Sequence, residues 1–281
     1  MYRVTRIYLN TFFILFINLL LCTNPPHALA EDAIRINGSG ACLEMIRPLM
    51  KAYGKNNKNV SFRMEKPLGS SGAIKALLAD AIDIAVVARP LKAEEIALGV
   101  KLKKFGKTPL AIVTGGKVSI KNISTRELEY IYSGKTLKWS NGETIRVILR
   151  PNEDIDTKIL KSLSPGMPGA ITLAGNRRGV MIAVTDPETA EAVLKTDGSI
   201  GAVALTSIIV GKLPLNVLSL NGIRPNRKNL GNRTYPLSKD ISFVTGDKLT
   251  DAAAKFIKFI YSKKGRSIAE KTGVLIITDN K

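Results

Sequence analysis

The sequence predicts an α/β fold, a mixed and mostly parallel sheet flanked by helices, on three grounds. Segments of strand and helix character alternate from residue 33 to residue 273. At three places a predicted strand runs into a turn that opens a helix: Asn37-Gly38-Ser39-Gly40-Ala41-Cys42, Leu68-Gly69-Ser70-Ser71-Gly72 and Arg150-Pro151-Asn152-Glu153-Asp154. Hydrophobic residues make up 45% of the 281 and recur along the whole length, enough to bury the core of one large domain or two lobes.

Residues 33–37 read as a strand and 42–53 as a helix with Leu43, Ile46, Leu49 and Met50 on one face. A strand at 60–64, a helix at 71–80 and a buried strand at 83–87 follow. The next strand is 108–114. Ser124 then opens a helix through a capping box, in which its hydroxyl and the Glu127 carboxylate each serve the other's backbone N–H, and Gly134 closes it. A strand at 144–149 and a helix at 153–163 lead into a Gly/Pro-rich stretch at 165–169, a helix at 188–194, a strand at 200–204 and a loop heavy in Asn and Arg. The tail holds a strand at 241–245, a helix at 250–261 and a short helix ending near Gly273. There is no internal repeat and no low-complexity tract.

The first thirty residues have the layout of an export signal. Arg3 and Arg6 precede a short apolar run over 12–21, and Ala28-Leu29-Ala30 supplies small residues for cleavage, so residues 1–30 are expected to be a signal peptide ending at Ala30. The run is shorter than the ~20 apolar residues of a membrane span. Acylation at Cys22 is disfavoured by Leu21, where a small residue is usual. Cleavage would remove His27 and Cys22 and leave Cys42 as the single thiol, with no histidine. A Ser-His or Cys-His hydrolase and a zinc centre are then excluded by residue supply, and no enzyme activity, metal or cofactor is expected.

Lys and Arg number 42 against 23 Asp and Glu, a formal charge of +19. Such a surplus attracts polyanions. Aromatic residues are only 6% and are not interleaved with the basic runs, so no nucleic-acid partner is expected. The clusters at Lys101, Lys103, Lys104 and Lys107, at Arg224, Arg227, Lys228 and Arg233, and along the last helices read as solvated faces.

The first two turns suit a helix N-terminus that cradles an anion, since unpaired N–H groups and the positive dipole end face the ligand. With them, Ile123-Ser124, Glu127-Leu128, Ile131-Tyr132-Ser133-Gly134 and Trp139, then Arg89-Pro90-Leu91, Gly198-Ser199-Ile200-Gly201 and Thr234-Tyr235-Pro236-Leu237, stand in an order that resembles the substrate-binding proteins of phosphate-type ABC transporters. The resemblance implies the two-lobed periplasmic binding protein fold with a two-strand hinge, one lobe from residues 31–113 plus 237–281 and the other from 114–236. It further implies a periplasmic monomer that hands a small oxyanion or mixed-charge solute to an ABC permease in the inner membrane. The alternative from another class is an interaction or signalling module that kept the fold and lost transport.

By the same resemblance the ligand set is Ser39, Gly40, Cys42, Leu43, Ser70, Ser71, Gly72, Arg150, Asp154 and Asp156. It departs from the family's pattern at Cys42, where a hydroxyl is usual, at Ala88, an acidic position, and at Asp154-Ile155-Asp156, which replaces a Ser-Gly-Thr turn. Two carboxylates near a phosphate oppose it, so tight binding of free orthophosphate is expected to be lost or weakened, unless these acids merely occupy a first helical turn and face solvent. Cys42, at a helix N-terminus, is either an acidified reactive thiol or a small buried side chain.

Overall fold

A computed structural model describes residues 32–277, so the expected signal peptide at 1–30 lies outside the described residues. Its first half is the predicted alternation: β1 (Asp32–Gly38), α1 (Gly40–Gly54), β2 (Val60–Arg63), α2 (Gly69–Leu78), β3 (Ile84–Val87) and the short α3 (Ala93–Ala97). Then comes β4 (Lys101–Thr114), twice the predicted length. The second half holds β5 (Asn122–Ile123), α4 (Thr125–Ser133), β6 (Arg146–Leu149), α5 (Ile155–Lys161), α6 (Met167–Gly175), β7 (Met181–Ile182), α7 (Asp186–Lys195), β8 (Ser199–Ala204), α8 (Leu205–Gly211), β9 (Asn216–Val217), β10 (Ser219–Leu220) and α9 (Arg227–Gly231). The chain returns through β11 (Ser238–Thr245), α10 (Asp251–Tyr261), α11 (Lys263–Glu270) and β12 (Leu275–Ile276).

The sheet order is β2-β1-β3-β11-β4-β8-β6-β7. β1 pairs in parallel with β2 and β3, and β6 in parallel with β7 and β8, as crossover helices dictate. The central strands are antiparallel to their neighbours: β11 to β3 and β4, and β4 to β8. The sheet is therefore mixed, parallel toward its two edges and antiparallel at its centre, because the chain passes between the halves on β4 and returns beside it on β11. β4 changes partner at the midline, pairing with β11 from Lys101 to Pro109 and with β8 from Leu110 to Thr114.

The core divides at the same point. Ile34, Ile46, Ile84, Phe105, Phe243 and Phe256 belong to one buried cluster, and Leu110, Leu128, Tyr132, Leu149, Ile200 and Tyr235 to another. Leu110 and Ile112, placed by sequence with the first lobe, pack with the second cluster. The Gly/Pro-rich stretch at 165–169, to which the sequence assigns no element, runs into helix α6, since Pro168 sits in its first turn, where its missing N–H costs nothing. The Ser124–Glu127 capping box and the left-handed Gly134 stand as the sequence predicts.

β1 ends against β3 so closely that a Cβ on Gly38 would overlap the Val86 carbonyl. Substituting Gly38→Ala is expected to destabilise the protein by about 1–3 kcal/mol or more, read as a lowered urea midpoint.

Candidate functional site

At the midline the turns after β1, β2, β3 and β6 and the start of α7 surround a cleft of about 580 Å³. Ser39, Gly40, Leu68, Ser70, Ser71 and Arg89 line it from the first half, and Arg150, Asp154, Thr185 and Asp186 from the second. Local chemistry holds each turn. The Ser39 N–H donates to Val86 O at 3.0 Å, closing α1 onto β3. Gly69 opens α2 at φ +70°, a left-handed conformation that favours glycine, and the Ser70 hydroxyl accepts from the Ala88 N–H at 3.0 Å. Asp154 caps α5 by accepting from the Asp156 N–H at 2.8 Å. Thr185 and Glu188 form a capping box on α7.

The floor is a buried charge cluster. Arg150, at the carboxyl end of β6 with 6% of its side chain exposed, forks onto Asp154, Nη2 to Oδ2 at 2.7 Å and Nε to Oδ1 at 3.3 Å. Beneath it Lys239 of β11, with no exposed surface, donates to Asp186 Oδ1 at 2.7 Å and Asp156 Oδ2 at 3.0 Å. Arg150 also lies 3.9 Å from each of those two carboxylates. Asp186 Oδ2 lies 3.2 Å from where a Cβ on Gly40 would stand, so a carboxylate of the second half sits beside the N-terminus of α1 in the first. The fit is tight: a Cβ on Gly40 would stand 2.8 Å from Pro187 Cδ and 3.1 Å from Asp186 Cβ.

Three carboxylates thus face two cations. Like charges 4 Å apart repel by about 4 kcal/mol at an effective dielectric near 20, so one acid yields its charge first. Burial, with Asp186 and Asp154 close by, pushes Asp156 up to about 6 against the pull of Lys239 and Arg150. Burial also works against ionised Asp186, but Lys239, Arg150 and the Ala41 N–H outweigh it and hold its pKa below the usual carboxylate range. Burial opposes the charge on Lys239 as well, and Asp156 and Asp186 overcome it, raising its pKa.

Of the residues proposed from sequence, Ser39, Gly40, Ser70, Ser71, Arg150 and Asp154 line the cleft. Gly72 stands one residue further into α2, outside the lining, and Cys42 and Leu43 are core residues behind α1. Asp156 lies behind the wall, neither opposing a ligand directly nor facing solvent. The reactive reading of Cys42 is corrected: burial, Asp186 and Asp156 push the thiol up to about 12 despite nearby Lys239. Sequence reasoning missed Lys239, Asp186 and Arg89. Lys239 shares strand phase with Ile241 and Phe243, which are buried, and that alternation was the available signal. Arg89 is held by Glu95 at 2.6 and 2.8 Å and by the Ser71 hydroxyl at 3.0 Å. Among the described residues no group of acids, cysteine or histidine could hold a metal ion.

A doubly flanked sheet with its cleft at the strand ends, where two halves meet, defines a class of bilobal solute-binding folds. The family model for the PBP superfamily domain matches residues 23–264, and the chain belongs to that family. It is 28% identical over 255 residues to the phosphate-binding protein PstS of Borreliella burgdorferi, covering 87% of this chain and 90% of the relative. It is 23% identical over 261 residues to PstS of Bacillus subtilis, covering 90% and 83%. Among solved structures, a phosphate-bound protein from Clostridium perfringens assigned as a phosphate ABC transporter substrate-binding protein superposes with a TM-score of 0.74 at 20% identity, covering 88% of this chain and all of that one. An ABC-type phosphate transport receptor from Vibrio cholerae gives 0.59 at 18% identity, with the same 88% and full coverage.

Removing Lys239 would strand two buried carboxylates, and Lys239→Met is expected to cost about 3–5 kcal/mol in urea unfolding. The raised Asp156 pKa has its own signature. Between about pH 4, its unfolded value, and about pH 6 the folded state keeps a proton that the unfolded chain has released, so this group's stabilisation is full below pH 4 and lost as pH rises through 6. Asp186, shifted the other way, loses its contribution only as pH falls below about 4. Wild-type stability measured from pH 4.5 to 7 is expected to fall on this account, and Asp156→Asn to remove that slope.

Proposed function

We propose that the chain is an exported solute-binding protein of a phosphate-type ABC uptake system, taking a small anionic solute in the midline cleft and delivering it to an inner-membrane permease. It works as a monomer without enzymatic activity. Its lobes, each with two of the buried clusters, are residues 32 to about 107 with about 240 to 277, and about 110 to 237, and β4 and β11 are the hinge. Membership of the PBP superfamily and the phosphate-binding names of its relatives support the class. No described helix is long and apolar enough to cross a membrane, and the predicted signal segment supports export.

One observation carries the site. Arg150, a buried guanidinium of the cleft whose fork Asp154 holds, stands among the turns that open α1, α2 and α5, so an acidic group that takes Asp154's place meets a bidentate cation beside the positive end of α2. Closing the lobes removes water from around those contacts and strengthens them.

Titration with phosphate, sulfate, phosphonates and organic phosphates is expected to find at least one binder. Arg150→Ala, checked by circular dichroism to be folded, is expected to weaken it about 100-fold, the worth of two charge-assisted hydrogen bonds. Undiminished affinity in the folded variant, or no binder in the panel, would overturn this reading.

A further inference from the structure

The floor and the walls of the cleft differ in chemistry. On the floor, the chain's own acids already occupy the positions an oxyanion would take. Asp154 forks onto Arg150, and Asp186 presses its carboxylate against Gly40 at the start of α1. An inorganic dianion entering there meets carboxylates and a guanidinium whose charge is already matched, so its electrostatic gain is small. The walls, by contrast, carry large apolar side chains. Leu68 on one rim and Val184 on the other are 53% and 62% exposed, with Pro90 and half-buried Ile155 beside them on opposite sides. An inorganic phosphate has no surface to offer these walls. A cleft of about 580 Å³ admits a far larger solute, and apolar surface brought against Leu68 and Val184 releases water from both.

We infer that the cleft selects an organic anion, an acidic head on Arg150 carrying an apolar body between Leu68 and Val184, over inorganic phosphate. This rests on the reading above that the cleft is the solute site. It assigns selectivity to two exposed hydrophobic residues and to Asp154, the internal competitor for the head group.

Calorimetric titration of the purified protein with phenyl phosphate and with inorganic phosphate tests it. Phenyl phosphate is expected to bind at least tenfold more tightly. The double substitution Leu68→Ser and Val184→Ser, at exposed positions where the fold is unaffected, is expected to bring the two affinities within threefold. Inorganic phosphate binding as tightly as phenyl phosphate would overturn the inference while leaving the solute-binding proposal standing. A preference for phenyl phosphate that survives the double substitution would overturn it as well, since the apolar walls would not be its source. Binding of neither probe would also overturn it, and the wider anion panel then decides the solute-binding proposal separately.

Discussion

A lysine with no exposed surface keeps its charge only where fixed acids replace the water it has lost, and Lys239 meets that condition by joining three parts of the chain. It rises from β11, on the return path between the halves, and its ammonium holds the first residue of α7 and the second of α5. Asp186, so held, stands against Gly40 at the start of α1, and Asp156, so held, stays behind the wall. Arg150 is set above them by the same carboxylates and by Asp154. Alter that one ammonium and Asp186 and Asp156, at the starts of α7 and α5, both lose a partner.

The cluster also changes what the inherited scaffold can bind. A bilobal α/β protein brings helix starts to a cleft at its strand ends, and hydroxyls there would leave the N–H groups to a ligand. Here carboxylates take up part of that capacity, and Arg150 and Lys239 offset all but one of their charges. On the selectivity inferred above, discrimination shifts from the anion's charge toward whatever else a solute offers the walls.

The positive surplus that dominates the composition contributes little to this site. Lys101, Lys107 and Lys117 pair with Asp247, Asp240 and Asp197 on open surface, where such pairs are worth at most about 1 kcal/mol. The cation that matters most stands in a segment, Pro236-Leu237-Ser238-Lys239-Asp240, that reads as polar loop. It escaped notice because a lysine in a strand is ordinarily taken to mark the solvent face.

Sequence by itself determined the alternation of strands and helices, the caps at Ser124 and Gly134 and the turns that build the cleft. These follow from local propensities and short-range hydrogen bonds, whose partners lie within a few residues. Local rules gave no element at α6, where Gly and Pro mark a helix start, and left two readings of Cys42, between which burial decides. The antiparallel crossing of β4 and β11 and the meeting of Lys239 with Asp156 and Asp186 were decided by tertiary structure alone. Those partners stand 83 and 53 residues away, and only the packed sheet excludes the water that would otherwise make each of them an ordinary surface charge.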